Sequence, residues 1–107
     1  MKQELVYEKH EVDENGRPDG GLTTGKGITI IWQKGPLGRG ENRLEPNGAF
    51  VEGVIQAALG RLAFYQSSEF ACDESEAALH HLEAALAWLE HRTADREARQ
   101  VEGTHEL

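Results

Sequence analysis

The chain has 107 residues, with 11 lysine and arginine residues against 19 aspartate and glutamate residues, and a formal net charge of −8. A chain of this length predicts a single domain over residues 1–107. The acidic balance argues against DNA or RNA as a partner, because a nucleic-acid binder needs a basic face, and against an anionic membrane surface.

The cysteine count and the hydropathy pattern indicate the cellular compartment that we expect for this protein. One cysteine, Cys72, excludes an internal disulfide and a multi-cysteine zinc site, and it favours a cytoplasmic protein. Residues 1–14 are polar and mixed in charge, so they do not resemble a signal peptide. No apolar run approaches the roughly 18 residues that a membrane-spanning helix needs, so no membrane partner is expected.

Residues 4–34 are predicted to form the strand region. Glu4–Val12 is a weak strand, and Asp13–Gly21, rich in turn-forming residues, is a turn or loop. Gly27–Lys34 is the clearest strand, because its residues are β-branched and alternate between two faces. One face of this strand carries Ile28, Ile30 and Trp32.

A glycine-rich loop over residues 35–46 leads into a helix predicted over about 48–67, with Asn47 as its N-cap. From Ala49 onwards apolar residues recur with helical spacing. Gly60 lies inside this helix and costs up to about 1 kcal/mol relative to alanine, which suggests that a neighbour approaches closely there.

A second helix is predicted over about 74–99. Asp73, followed three residues later by Glu76, is a capping-box variant at its start. The helix should continue through Arg96 towards Arg99 and stop near Gly103, a plausible C-terminal glycine.

The predicted fold class is α+β: short N-terminal antiparallel strands followed by a long antiparallel two-helix hairpin, with residues 100–107 as a C-terminal tail. Such a structure is thin, and its helices carry apolar residues beyond a single seam, including Phe64, Tyr65 and Trp88. A symmetric oligomer that buries this excess is therefore favoured over a monomer.

Three patterns suggest catalysis or metal binding and fail on inspection. Gly20–Lys26 has most of the phosphate-loop spacing, but glycine follows Lys26 where a magnesium-binding serine or threonine is needed, so a glycine-rich turn is favoured. His80, His81 and His91 do not pair at the spacing of a zinc site, and Cys72 has no histidine partner. We therefore expect no enzyme, no metal and no cofactor.

Arginines concentrate late in the second helix. No lysine or arginine occurs from Glu69 to Glu90, and Arg92, Arg96 and Arg99 then follow within eight residues. Arg92 and Arg96 are four residues apart and share a helix face, which suits a pyrophosphate or two nearby phosphates. The alternative is that these cations simply favour a helix C-terminus and pair with neighbouring acids.

Aromatic residues lie at the opposite end of the predicted hairpin. Tyr65 ends the first helix, about 25–30 Å from Arg92 at 1.5 Å per residue. The two can therefore line one pocket only if a second subunit packs antiparallel against the first.

Taken together, several segments resemble the first Thoeris anti-defence family of phage proteins, which shares its helical-hairpin domain with an anti-CBASS sponge family. The resemblance covers roughly residues 22–105 and is specific only in combination. The segments that carry it are GITIIWQKGPLGRG (27–40), EPNGAFVEGVIQAALGRLAFYQ (45–66), CDES (72–75), RTADREAR (92–99) and VEGTH (101–105).

The resemblance implies a sponge that sequesters cyclic ADP-ribose isomers made by TIR-domain immune proteins, in the host cytoplasm, without cleaving them. It implies a homodimer or homohexamer, with some members also binding cyclic di- or trinucleotides at a separate site. The implied ligand-binding residues are an aromatic, a polar residue and two arginines, which fall on Tyr65, Ser75, Arg92 and Arg96. Serine at position 75 departs from the asparagine expected in the family and shortens the donor there.

Physical roles can be assigned to these residues on this hypothesis. Tyr65 or Phe64 would stack on adenine, the two arginines would hold the pyrophosphate, and Thr93 would help to close the pocket. Arg39 and Arg43 are candidates for phosphate contacts at the second site. The competing hypothesis is a helical-hairpin interaction module that binds a protein through its apolar surface and has no nucleotide ligand.

Overall fold

A computed structural model describes residues 2–107, which divide into two compact units. The sheet unit contains residues 2–50 and 103–106, and the helical unit contains residues 51–102 and 107. The predicted α+β class is confirmed, because three antiparallel strands precede two helices. Whether the two units fold as one domain stays a prediction.

The sheet unit is built on three strands in the order β1-β2-β3, with β1 at Leu5–Val12, β2 at Pro18–Gly25 and β3 at Ile28–Trp32. Both neighbouring pairs are antiparallel. The predicted strand at Glu4–Val12 is confirmed. The prediction of a turn or loop over Asp13–Gly21 is wrong in its second half, because the turn ends at Arg17 and β2 begins at Pro18.

The glycine-rich segment at Gly20–Lys26 is largely a strand, although we expected a turn. Gly21 has a φ of 140°, and a Cβ placed on it would collide with the carbonyl oxygen of Lys9 in β1. The pairing of β1 with β2 is irregular between His10 and Val12, next to this contact. Glycine is therefore used here to let two backbones approach, which single-sequence strand propensity does not reveal.

β3 has the two faces that its alternation predicted. Ile28, Ile30 and Trp32 are half-buried, whereas the intervening residues are exposed. The indole Nε1 of Trp32 donates a hydrogen bond of 2.9 Å to Oγ1 of Thr23, which is only 4% exposed. This bond satisfies the polar end of the ring at the half-buried face of the sheet.

Asn47 does not cap the first helix, contrary to the sequence-based prediction. Its side-chain oxygen accepts the backbone N–H of Lys34 at 2.8 Å, and its amide nitrogen donates to the Lys34 carbonyl at 3.0 Å. Two residues later, Ala49 forms a parallel bridge with Trp32. Asn47 therefore ties the chain to the end of β3, and the helix starts only after this extended segment.

The helical unit consists of α1 at Val51–Gln66 and α2 at Asp73–Ala98, joined by residues 67–72. The short connection makes them antiparallel neighbours, as predicted. Each helix contributes one apolar stripe, but α1 has no buried residue and the one buried residue of α2 is Arg96. Half-buried members of the stripe are Val54, Ile55, Leu59, Leu62, Leu79, Leu82, Ala85, Leu86 and Leu89.

The helix ends are not set by the residues that the sequence pointed to. The capping box at Asp73 and Glu76 does not form, because Asp73 is the first helical residue and Cys72 takes the N-cap position without a side-chain bond. Instead, the side-chain oxygen of Gln66 accepts the N–H of Cys72 at 3.0 Å, and its nitrogen donates to Glu76 at 3.0 Å.

The C-terminus of α2 does not depend on Gly103. The helix ends at Ala98, and Gln100 takes the left-handed conformation with a φ of 62°. The N–H of Val101 donates to the Arg96 carbonyl at 2.9 Å, and that of Gln100 to the Glu97 carbonyl at 3.0 Å. This is the bond pattern of a Schellman motif, here built without glycine.

Candidate functional site

The aromatic end of the hairpin lies on the last turn of α1. Phe64 and Tyr65 are 52% and 38% exposed, and their ring centroids are 6.1 Å apart with an interplanar angle of 59°. The Cζ atom of Arg61 lies 5.0 Å from the centroid of Phe64 and 4.9 Å from that of Tyr65. One guanidinium thus contacts both aromatic rings, at distances that give a cation–π interaction.

Sequence reasoning missed Arg61. Its spacing to Phe64 and Tyr65, three and four residues along the helix, places all three side chains on neighbouring positions of one helix surface. That spacing is the signal that could have identified it.

Ser75 lies at the same end of the hairpin, in the first turn of α2. It is half-buried, and its Oγ accepts a hydrogen bond from the thiol of Cys72 at 3.2 Å. Gln66 follows Tyr65 directly and bonds to both Cys72 and Glu76, so it links the end of α1 to the start of α2. Phe64, Tyr65 and Ser75 are therefore brought to one end of the helical unit.

The arginine end lies on the last two turns of α2, and its members differ in environment. Arg96 is 8% exposed, and its guanidinium donates to the backbone oxygen of Val101 at 3.1 Å and of Leu107 at 3.5 Å. Arg92 is exposed and makes no hydrogen bond or ion pair with another residue in the part of the chain that the structure describes. Arg96 is therefore held in place, whereas the Arg92 guanidinium is available to a ligand.

Two further residues at the arginine end, Thr93 and Arg99, contact residues of α2. The hydroxyl of Thr93 donates to the Leu89 carbonyl at 3.2 Å, within the helix. Arg99 forms a 3.1 Å ion pair with Asp95. Pairing with neighbouring acids, the alternative to a phosphate site, therefore describes Arg99 but not Arg92.

Within one chain the two ends remain apart. Ser75 and Arg92 are 17 residues apart on one continuous helix, which corresponds to about 25 Å along its axis. A single copy thus carries two candidate half-sites, one with aromatic rings and one with arginines.

The candidates for a second phosphate site lie in the sheet unit. Arg39 precedes the short 3-10 helix at Gly40–Asn42, and Arg43 follows it. Arg39 is half-buried, and Nη1 of the exposed Arg43 donates to the Gly38 carbonyl at 3.4 Å. The two arginines therefore flank one turn of glycine-rich backbone.

A groove of about 500 Å³ lies on the sheet unit, and both cations and carboxylates line it. Lys9 and Lys34 line it together with Glu11 and Asp19, and Tyr7 and Ile31 contribute apolar surface. Because cations and carboxylates are balanced there, the groove gives no net preference for an anionic ligand.

Two of the histidines of α2 contact neighbouring side chains on the helix surface. His80 lies 3.0 Å from a carboxylate oxygen of Glu76 and 4.0 Å from one of Glu83, and His91 packs edge-on against Trp88. Among residues 2–107 there is no group of three or more His, Cys, Asp or Glu side chains placed to hold a metal ion. No helix in that range is both long and apolar enough to cross a membrane.

Comparison with known proteins agrees with this architecture. A family model described as "Acb2/Tad1, hairpin domain" matches residues 26–94, a range that includes β3, both aromatic residues and Arg92. The protein named "Thoeris anti-defense 1" from Bacillus phage SBSphiJ7 is 45% identical over 82 residues, which are 77% of this chain and 55% of that protein. The chain thus spans about half the length of this relative. Because the family model covers more than half of the chain, the chain belongs to the Acb2/Tad1 hairpin family.

Proposed function

We propose that this protein is a phage anti-defence sponge, which binds and sequesters cyclic ADP-ribose isomers of TIR-domain (Thoeris) immunity without cleaving them. The family membership and the name of the phage relative support an anti-defence role. The single observation that carries the ligand assignment is the pair of arginines one helical turn apart, with Arg92 exposed and Arg96 held by the backbone.

The ligand chemistry follows from the two half-sites. Guanidinium groups bind phosphate oxygens bidentately, and each charge-assisted hydrogen bond contributes about 1.5–3 kcal/mol. A purine stacked on Tyr65 or Phe64 contributes about 1–3 kcal/mol, by analogy with single-strand binders. A nucleotide with a pyrophosphate beside an adenine offers both groups, so it fits this pair of half-sites.

One copy cannot present both half-sites to one small ligand, because they are about 25 Å apart. In the proposed assembly a second copy packs antiparallel against the first, as a homodimer or a homohexamer, and brings its aromatic end to the arginine end of its partner. Ser75 and Thr93 then complete the pocket, with the serine hydroxyl as the shorter donor. Arg39 and Arg43 are proposed for a separate cyclic di- or trinucleotide site.

Capture and release tests this function directly. The purified protein is incubated with a panel of cyclic ADP-ribose isomers and cyclic di- and trinucleotides, freed of unbound ligand and heat-denatured, and the released compounds are identified by mass spectrometry. Release of an intact cyclic ADP-ribose isomer is the expected result. A cleaved product would indicate an enzyme, and no captured nucleotide would refute the sponge.

The double variant Arg92→Ala/Arg96→Ala tests the arginine pair. We expect it to release no nucleotide. The matched control is Arg17→Ala/Lys26→Ala, which removes the same two charges from exposed positions of the sheet unit and should capture as the wild type does.

The exposed aromatic side chains favour a second candidate, an interaction module without a nucleotide ligand. Trp88 and Phe70 are 73% and 71% exposed, so most of their apolar surface is not used in packing within the hairpin. Exposed apolar surface of this kind is typical of protein–protein interaction sites. If the arginine double variant kept full activity against the immune system during infection, the interaction module would be the better account.

A further inference from the structure

Arg61 stands out from its surroundings in charge. Between Leu44 and His91 the chain has eight acidic residues and only one lysine or arginine, which is Arg61. In so acidic a stretch a lone arginine would ordinarily form ion pairs. Its contacts among residues 2–107 are instead the rings of Phe64 and Tyr65, at 5.0 and 4.9 Å from their centroids.

The two rings hold the positively charged guanidinium of Arg61 in place but use none of its hydrogen-bond donors. A cation–π contact draws on the positive charge of the guanidinium and consumes none of its five N–H donors. Arg61 is exposed, so those donors face water in the unbound protein. Two rings limit its motion beforehand, so a ligand would lose less side-chain entropy when it binds there.

The position of Arg61 also suits a particular ligand geometry. The Arg61 guanidinium lies over the Tyr65 ring, 4.9 Å from its centroid, so a base that stacks on Tyr65 would use the face that the guanidinium leaves open and would lie close to it. In a nucleotide the phosphate is separated from its base by one sugar, a distance that an arginine side chain can cover. The same cluster therefore offers an apolar surface for the base and a fork of donors for a phosphate.

We propose that Arg61 is a phosphate-binding residue of the nucleotide site, so that the aromatic end recognises a base together with its phosphate and not the base alone. This inference rests on the proposed function. With Arg61 the site contains three arginines, and both ends of the hairpin then contribute to the specificity for phosphorylated ligands.

The test compares four proteins by calorimetric titration with a captured cyclic ADP-ribose isomer at low and high salt. They are the wild type, Arg61→Gln, Arg61→Lys and the matched control Arg17→Gln, which removes one exposed charge from the sheet unit. We expect Arg61→Gln to bind about tenfold or more weakly, with a flatter salt dependence, because one phosphate contact is lost. Arg61→Lys should lose less, and Arg17→Gln should match the wild type.

Two results would overturn the proposal. One is binding by Arg61→Gln within twofold of the wild type. The other is an equal loss at both salt concentrations for the Gln and Lys variants, which would mean that Arg61 only orders the rings. Circular dichroism of each variant checks that the helices persist, since glutamine and lysine have helix propensities close to that of arginine. If the wild type itself captured no nucleotide, the proposed function would fail first.

Discussion

The sheet unit and the helical unit both leave large apolar side chains exposed, among them Val6 and Trp88, but they differ in how their polar and aromatic groups are used. The sheet unit contains tight backbone contacts and a satisfied polar network, such as the bond from Trp32 to the buried Thr23. In the helical unit no apolar side chain is fully buried, and Trp88 is 73% exposed. The helical unit combines exposed aromatic rings with the exposed guanidinium groups of Arg61 and Arg92, which suits it to binding, whereas close backbone contacts suit the sheet unit to positioning.

The largest effect that we expect separates two arginines within the helical unit. Arg92→Ala and Arg96→Ala should each weaken nucleotide binding by about 10–150-fold, the equivalent of one charge-assisted contact. Only Arg96→Ala should also lower the melting temperature, because its guanidinium bonds to the Val101 carbonyl. Titration calorimetry and thermal unfolding of both variants measure these effects. Equal loss of stability in both variants would contradict the different roles.

A pair of glycine substitutions tests the contrast in packing. Gly21→Ala should destabilise the sheet unit by about 1–3 kcal/mol, because a Cβ would collide with the Lys9 carbonyl at a φ of 140°. Gly60→Ala should stabilise the protein by up to about 1 kcal/mol, because alanine is the better helix former and, apart from the neighbouring helix backbone, no atom of residues 2–107 lies within 4 Å of the added Cβ.

Chemical denaturation of the two glycine variants measures the sign of each change in the free energy of unfolding. The expectation that a neighbour approaches Gly60 is wrong within a single copy of the chain. If Gly60→Ala were instead destabilising and reduced self-association, a second copy would be the neighbour.

Self-association should depend on the helical unit and not on the edge of the sheet. Trp88→Gln is expected to weaken assembly about tenfold or more, since large aromatic residues dominate interface energies. Val6→Gln is the matched control, because Val6 is 75% exposed on β1. Sedimentation velocity over a range of concentrations measures both. A larger loss of assembly for Val6→Gln than for Trp88→Gln would place the interface on the sheet unit.

The smallest effect concerns the turn between β1 and β2. The N–H groups of Arg17 and Asn15, at 3.0 and 2.8 Å, hold the pKa of the Asp13 carboxyl below its ordinary value of 3.8. Because the folded pKa is depressed, this stabilisation is fully present above pH 3.8 and is lost as the pH falls through the folded pKa.

The variant Asp13→Asn should therefore melt slightly below the wild type at neutral pH, and the gap should close in acid. Glu14→Gln, which removes the neighbouring exposed charge, is the control and should not show this closure. Melting temperatures between pH 2 and 7 provide the measurement. A gap that is constant over this range would refute the role of the ionised carboxyl.

Part of the fold was predictable because its signals are local. The alternating β-branched residues of β3 and the helical periodicity of α1 and α2 identify those elements directly. β2 was missed because its glycines have low strand propensity, and only pairing with β1 and β3 makes the segment extended. Asn47 was assigned to the wrong partner because Lys34, which it contacts, is 13 residues away.

The same division applies to the candidate site. The sequence predicted the spacing of Arg92 and Arg96 and the position of Tyr65 at a helix end, because positions along a helix follow from its period. It did not distinguish a backbone-bonded Arg96 from an exposed Arg92, since that difference depends on the Val101 and Leu107 carbonyls.

The sequence alone predicted β1, β3 and the two helices, the positions of the aromatic and arginine side chains along those helices, and that a net charge of −8 disfavours a nucleic-acid partner. The tertiary structure decided where α2 ends, which arginine is held and that Arg61 lies against two rings. Periodicity and charge are properties of the chain, whereas caps, burial and stacking depend on the atoms that folding brings beside each residue.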